Sequence, residues 1–205
     1  MTLASPISRR YAVCVGINEY HPQTGLGSLR FAERDAQAVH QILLSPGLGF
    51  ASEDTCLLTG AEATLDAINT ALGSYIINRP NANDLVFFYF AGHSEPLLLR
   101  EEWRPLEVFL APYDFDPEKS RNDRYFRRQH TLSMSRLRQM FFEHEDGAGK
   151  RLFILDSCYS GAFVNSNEDE LTGNSVQAYI GDKLDTTRLG RVALSSCLPG
   201  QRAKE

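Results

Sequence analysis

Short apolar runs alternate along the chain with segments whose apolar residues recur at three- and four-residue spacing. That alternation predicts an α/β domain with a largely parallel sheet. The first run, Tyr11 to Ile17 (YAVCVGI), is apolar almost without a break, as a strand covered on both faces requires. A turn-rich stretch, Asn18 to Ser28, comes next with Pro22, Gly25 and Gly27. The spacing of Leu29, Ala32, Ala36, Val39 and Leu43 then predicts a helix from about Leu29 to Leu44, stopped by Pro46 and Gly47. A short strand is predicted at Thr55 to Leu58 and a second helix at Thr64 to Ile77. Leu85 to Phe90 (LVFFYF) is the strongest strand signal. Beyond it come a fourth strand at Glu107 to Pro112, a third helix at Ser133 to Phe142, a buried strand at Arg151 to Leu155 (RLFIL) and a last one at Val192 to Ser195. Asn165 to Gly190, between the last two, is polar and Gly-punctuated, and a connection of that length is usually functional or disordered.

Composition narrows the function classes. The 205 residues suffice for one well-buried domain. Hydrophobic residues make up 42% and charged residues 23%, which excludes a disordered chain. A net charge of −5 gives no general electrostatic reason to bind nucleic acid or an anionic membrane. No run approaches the roughly 20 apolar residues of a membrane span, and the first ten residues, with Pro6, lack the apolar core of a secretory signal. A cytoplasmic location is expected, with no nucleic-acid and no membrane partner. The four cysteines, Cys14, Cys56, Cys158 and Cys197, form no C-x-x-C pair, which argues against a disulfide framework or structural zinc. Cys14, Cys56 and Cys197 lie in strand-like contexts and read as buried thiols. The acidic patch Asp114, Asp116, Glu118 and the basic patch Arg121, Arg124, Arg127, Arg128 read together as one solvated, self-compensating loop.

In open parallel sheets, ligands bind outside the carboxyl ends of the strands. Two strand ends carry chemistry. After LVFFYF comes Ala91-Gly92-His93-Ser94, and after RLFIL comes Asp156-Ser157-Cys158-Tyr159-Ser160-Gly161. A lone His or Cys at such a place is more often structural than catalytic. The two together, each near a glycine that lets the backbone turn, point to nucleophilic catalysis. A thiol of pKa about 8.5 needs a base or cationic partner to react near neutral pH. His93 would serve as that partner and then protonate the leaving amine. Backbone N–H groups at Cys158 and in the turn after His93 would hold the developing oxyanion. Asp156, two residues before Cys158, shares its face of an extended strand. Its carboxylate would attract a Lys or Arg before the scissile bond and repel an acidic residue, although an Asp here could equally cap the turn. No G-x-G-x-x-G comes after the first strand, and neither a P-loop nor a G-x-S-x-G elbow is present.

The segments YFAGHS around His93 and LDSCYSG around Cys158 resemble the His and Cys motifs of caspase-like cysteine peptidases, specifically the metacaspase and bacterial caspase-like branch. YAVCVGINEY, LRFAERDAQAV and ALSSCLPGQRAKE extend the resemblance over nearly the whole chain. It implies a three-layer α/β sandwich with a mostly parallel central sheet flanked by helices, and a Cys158–His93 dyad. It also implies an S1 pocket formed by Asp156, Asp35 and backbone near Ala91, and an oxyanion hole from the backbone of Cys158 and Ser94. The bland reading of Asp35 is an exposed helix residue beside Arg34.

The expected activity is therefore that of a cysteine endopeptidase cleaving after Arg or Lys, on a protein or peptide substrate, in a regulated proteolytic, defence or cell-death role. A catalytically weak scaffold or regulatory module is the alternative, because Ser94 stands where the family usually has Gly. The resemblance divides residues 1–205 into a large-subunit region of about 1–164, a linker of about 165–190 and the start of a small-subunit region at about 191–205. Lys183, Arg188 and Arg191 lie in or just after that linker and are expected self-processing sites of a zymogen. Further C-terminal or sensor domains, or a small-subunit chain, are expected to complete the fold. No cofactor is expected. Many metacaspases need calcium, for which Asn167, Glu168, Asp169 and Glu170 are the candidate ligands, but their spacing does not match an EF-hand loop.

Overall fold

The computed structural model describes residues 7–98, 105–116, 118, 131–143, 149–157 and 191–195. Among these residues, five strands form a sheet whose described pairings are all parallel: β1 (Arg10–Gly16), β2 (Thr55–Thr59), β3 (Leu85–Ala91), β7 (Lys150–Asp156) and β8 (Arg191–Ser195), in the order β2-β1-β3-β7-β8. The mostly parallel central sheet flanked by helices is thus present. The unbroken apolar sequences of β1 and β3 are explained by cover on both faces.

Alternate side chains of these strands enter two cores. Ala12, Cys14, Phe87, Tyr89 and Ala91 pack with Ala32, Ala36 and Leu43 of α1 (Ala32–Leu43). On the other face Val13, Val15, Val86, Phe88, Phe90, Phe153 and Leu155 pack with Ile68 and Ala71 of α2 (Leu65–Ala71) and Leu137 of α3 (Met134–Arg138). Register aligns the strand ends. Gly16 pairs with Ala91, and Ala91 with Asp156, so the carboxyl ends of β1, β3 and β7 lie side by side at one end of the sheet. At the opposite end, buried Asp54 is held by Arg9 and by Arg79, whose Nη2 lies 2.5 Å from Asp54 Oδ1. This charge cluster is far in the fold from the chemistry-bearing strand ends and pins the start of the sheet.

The structure revises several predicted elements. The first helix begins at Ala32 rather than Leu29, because the Leu29 N–H donates to the Asn18 carbonyl (2.8 Å) and so holds this segment as an incoming loop. The second helix starts as expected, with Thr64 Oγ1 accepting from Ala67 N (3.2 Å), but continues from Leu72 to Asn78 as π-helix. Ser133 caps α3, its Oγ accepting from Arg136 N (3.1 Å), and belongs itself to the short strand β6 (Leu132–Ser133). A π-helical turn (Gln139–Glu143) succeeds α3.

The strand expected at Glu107 to Pro112 is β5 (Pro105–Leu110), and it stands outside the parallel sheet. It pairs with β4 (Ser94–Leu98) and β6 in a separate antiparallel sheet of order β4-β5-β6. β4 (SEPLL) escapes sequence reading because Pro96 cannot donate to a ladder and is tolerated only where one side of the strand is unpaired.

Close packing of α1 on β1 depends on Gly16. A Cβ there would lie 2.4 Å from the Ala32 carbonyl oxygen and 2.6 Å from Ala36 Cβ, both on the helix body. Gly16→Ala is therefore expected to push α1 off the sheet and destabilise the fold by about 3 kcal/mol, at the upper end for overpacking because backbone must yield. Urea unfolding would measure it, and an unchanged midpoint would show that the contact is relieved cheaply.

Candidate active site

His93 lies just beyond β3, separated from it by Gly92, and is half-buried. Gly92 N–H donates to the Asp156 carbonyl (3.2 Å), which ties the turn carrying His93 to the end of β7. The imidazole has a defined partner, since its Nε2 lies 2.8 Å from the carbonyl oxygen of Gly27. A carbonyl only accepts, so in the neutral ring this contact assigns the proton to Nε2 and the lone pair to Nδ1. That is the tautomer of a base acting through Nδ1. The His93 backbone N–H donates to Tyr20 Oη (2.6 Å), and the two rings stand 5.1 Å apart at 44°. Burial raises the Tyr20 pKa, with the bond from His93 N–H acting in the opposite direction. The turn-rich stretch after β1 thus supplies two contacts to His93 that sequence reasoning does not identify. Tyr20 closes the segment YAVCVGINEY, and its place just beyond β1 is a usable signal; Gly27 contributes only a backbone atom, which no residue type announces.

Asp156 ends β7 and is exposed, on the face that carries α1. Asp35 of α1 is half-buried rather than an exposed surface residue. Tyr89, buried two residues before Ala91, reports on both carboxylates: its pKa is raised mainly by burial, then by the charges of Asp156 and Asp35. The structure therefore brings Asp156, Asp35 and Ala91 to one face at one end of the sheet, with the Tyr89 phenol beneath. Such a surface favours a cation. Glu33 is not part of it as an open charge, because its Oε1 accepts from Asn18 N and its own N–H donates to Asn18 Oδ1 (both 3.1 Å), fastening the loop after β1 to the start of α1.

Ser94 is buried and opens β4 opposite Leu110. Next to that pair, the Ala111 N–H donates to the His93 carbonyl (3.0 Å), which ties the turn after β3 to the end of β5. Cys158 lies two residues beyond Asp156 in sequence and outside the described residues, as do Lys183, Arg188, Cys197 and the calcium candidates Asn167, Glu168, Asp169 and Glu170. Of the other cysteines, Cys14 is fully buried with its pKa pushed up to about 12 by burial and, secondarily, by Cys56; burial raises Cys56 too. Neither is a thiolate near neutral pH.

The family model described as the caspase domain matches residues 9–205. The chain belongs to the caspase domain family. Membership supports the cysteine peptidase class in general. No curated protein matches the sequence. Among solved structures, protein GSU0716 from Geobacter sulfurreducens aligns with a TM-score of 0.62 at 18% identity, over 96% of this chain and 76% of that one. At that identity the likeness concerns the fold, and it agrees with the parallel sheet and flanking helices of a caspase domain.

Within this caspase domain, Arg191 is the first residue of β8, in register with Arg151. Among the described residues, no group of three or more His, Cys, Asp or Glu side chains is arranged to hold a metal ion, and no helix is long and apolar enough to cross a membrane.

Proposed function

We propose that this caspase domain is a cysteine endopeptidase that hydrolyses peptide bonds after Arg or Lys, with Cys158 as nucleophile and His93 as its base and acid. The observation that carries the reading is His93 at the end of β3, its Nε2 on the Gly27 carbonyl and its turn bonded to the end of β7, beside the acidic face of Asp156 and Asp35. In this reading Nδ1 takes the Cys158 thiol proton as sulfur attacks the scissile carbonyl carbon. Charge collects on the carbonyl oxygen, where the N–H groups of Cys158 and Ser94 stabilise it. Collapse of the tetrahedral species breaks the C–N bond, and the proton passes from His93 to the leaving amine. Water then attacks the thioester with His93 as base, releasing the acid and restoring the thiol. Asp156 and Asp35 bind the guanidinium or ammonium of the residue before the scissile bond.

Lys183, Arg188 and Arg191 match that preference and make the segment around 165–190 a self-processing linker. A regulated role, dependence on a further chain or domain and a cytoplasmic setting belong to the same reading, which needs no cofactor. Fluorogenic peptides with Arg, Lys or Asp before the scissile bond, with and without calcium, test it. Turnover of the Arg and Lys peptides is expected, and cleavage only after Asp would overturn the specificity. The second reading, a scaffold with little activity, draws on buried Ser94, whose Cβ stiffens the turn after His93; absence of turnover on every peptide, with and without calcium, would favour it.

A further inference from the structure

Three contacts converge on the peptide that carries the imidazole. The Tyr20 hydroxyl accepts the His93 backbone N–H at 2.6 Å, the Tyr20 ring lies 5.1 Å from the imidazole, and Gly92 passes so close that a Cβ on it would sit 2.7 Å from Tyr20 Oη. Tyr20 itself is buried, packed in the core formed with β1 and β3. Its neighbour in sequence, His21, anchors the same loop by donating its N–H to the Tyr113 carbonyl (3.0 Å), so the ring is not held by a loose tail. The Gly92–His93 peptide is thus clamped from two directions, with Gly92 N–H on the Asp156 carbonyl and His93 N–H on Tyr20 Oη.

We propose that Tyr20 is a positioning residue for His93: its hydroxyl fixes the His93 peptide while its ring limits rotation of the imidazole, so that Nε2 stays on the Gly27 carbonyl and Nδ1 stays presented for proton transfer. The inference rests on the Cys158–His93 reading and deepens it. A general base must hold its geometry within a fraction of an ångström, and misplacement by about 1 Å can cost roughly 100-fold in rate. The hydroxyl does this without touching substrate. Burial keeps it protonated, and a neutral phenol is the acceptor that an amide N–H can share a dry site with at no cost in charge.

Tyr20→Phe removes the hydroxyl and keeps the ring that the core packs. The expected result is a fall in kcat of about tenfold on an arginyl peptide, with KM changed less than twofold, because substrate contacts are untouched. Tyr20→Leu, which also removes the ring, is expected to lose about 100-fold. In parallel, amide exchange followed by NMR in the Cys158→Ala background should show the His93 N–H losing at least about tenfold protection in Tyr20→Phe, while Phe90 in β3 is unchanged. Should Tyr20→Phe fail to fold, Gly92→Ala attacks the same bond from the other side, and the same loss at His93 is expected. A role in packing alone would lower the unfolding midpoint and leave kcat and His93 exchange as they are. Full kcat in Tyr20→Phe, in an assay where His93→Ala is dead, overturns the proposal. If wild type and His93→Ala are equally inactive on every peptide, it is the dyad reading that fails; His93 exchange then decides for Tyr20 alone, and unchanged protection overturns the clamp.

Discussion

Cys158→Ala is expected to abolish peptide hydrolysis, lowering kcat by roughly 10⁴-fold or more, while the chain stays folded. The size reflects the absence of a substitute among the described residues. Of the two other described thiols, Cys14 is fully buried, with a pKa pushed up to about 12, and the Cys56 pKa is raised too, so neither supplies a nucleophile when Cys158 is removed. His93→Ala should be as inactive, and the double variant no worse than either single one, because the two groups act as a unit. Brief treatment of the native protein with iodoacetamide near neutral pH should mark Cys158 and leave Cys14 unlabelled until unfolding. Mass spectrometry after incubation should also find wild type cut after Lys183, Arg188 or Arg191 and Cys158→Ala intact. Substantial turnover by Cys158→Ala would remove Cys158 from the nucleophile's role, and identical intact masses would remove self-processing.

The two strand ends are legible in the sequence for a physical reason. LVFFYF is buried on both faces and RLFIL is buried on one face and half-buried on the other, so each reads as an apolar run, and the first polar residues after them mark where the chain leaves the sheet. β3 and β7 end one residue beyond those runs, at Ala91 and Asp156, which also form a register pair. The side-by-side placement of His93 and Asp156 comes from that register and from nothing longer in range. Asp35 is harder, because three-residue spacing puts it beside the buried stripe of α1 without saying which sheet end the helix start faces. Only the packing of Ala32 and Ala36 against β1 and β3 decides it.

Other features escape the pattern altogether. The contact to Gly27 uses a main-chain oxygen, and hydrophobic periodicity carries no information on backbone partners across 66 residues. The antiparallel sheet of β4, β5 and β6 is missed because an apolar run shows that a strand forms without showing which strand it pairs with. Pairing partners are set by tertiary packing, here by Val108, Phe109, Leu110 and Leu132 joining the core on the face away from α1. Helix starts slip for a similar reason. Leu29 has the right spacing for the stripe, and its N–H is claimed by Asn18 instead.

In the proposed reading, Asp156 is the place where specificity can be moved. Asp156→Asn removes one of the two carboxylates that converge on the Ala91 face while keeping size and shape. The expected loss in kcat/KM is about 100-fold for Arg and Lys peptides, the magnitude of a charge-assisted hydrogen bond lost from the transition state. Asp35→Asn should cost less, because Asp35 is half-buried on the helix whereas Asp156 is exposed at the strand end. The pair should show coupling, as two charges acting on one cation do. Stability should change little in Asp156→Asn, since the side chain is exposed and no ion pair is broken there among the described residues. Reversal is the sharper test. Asp156→Lys places like charge against a basic side chain, and it should reject Arg and Lys peptides while admitting an acidic residue to a measurable degree, because discrimination by charge works through repulsion as well as attraction. An unchanged preference in both variants would take Asp156 out of the pocket, and the acidic face would then have to be explained by folding alone.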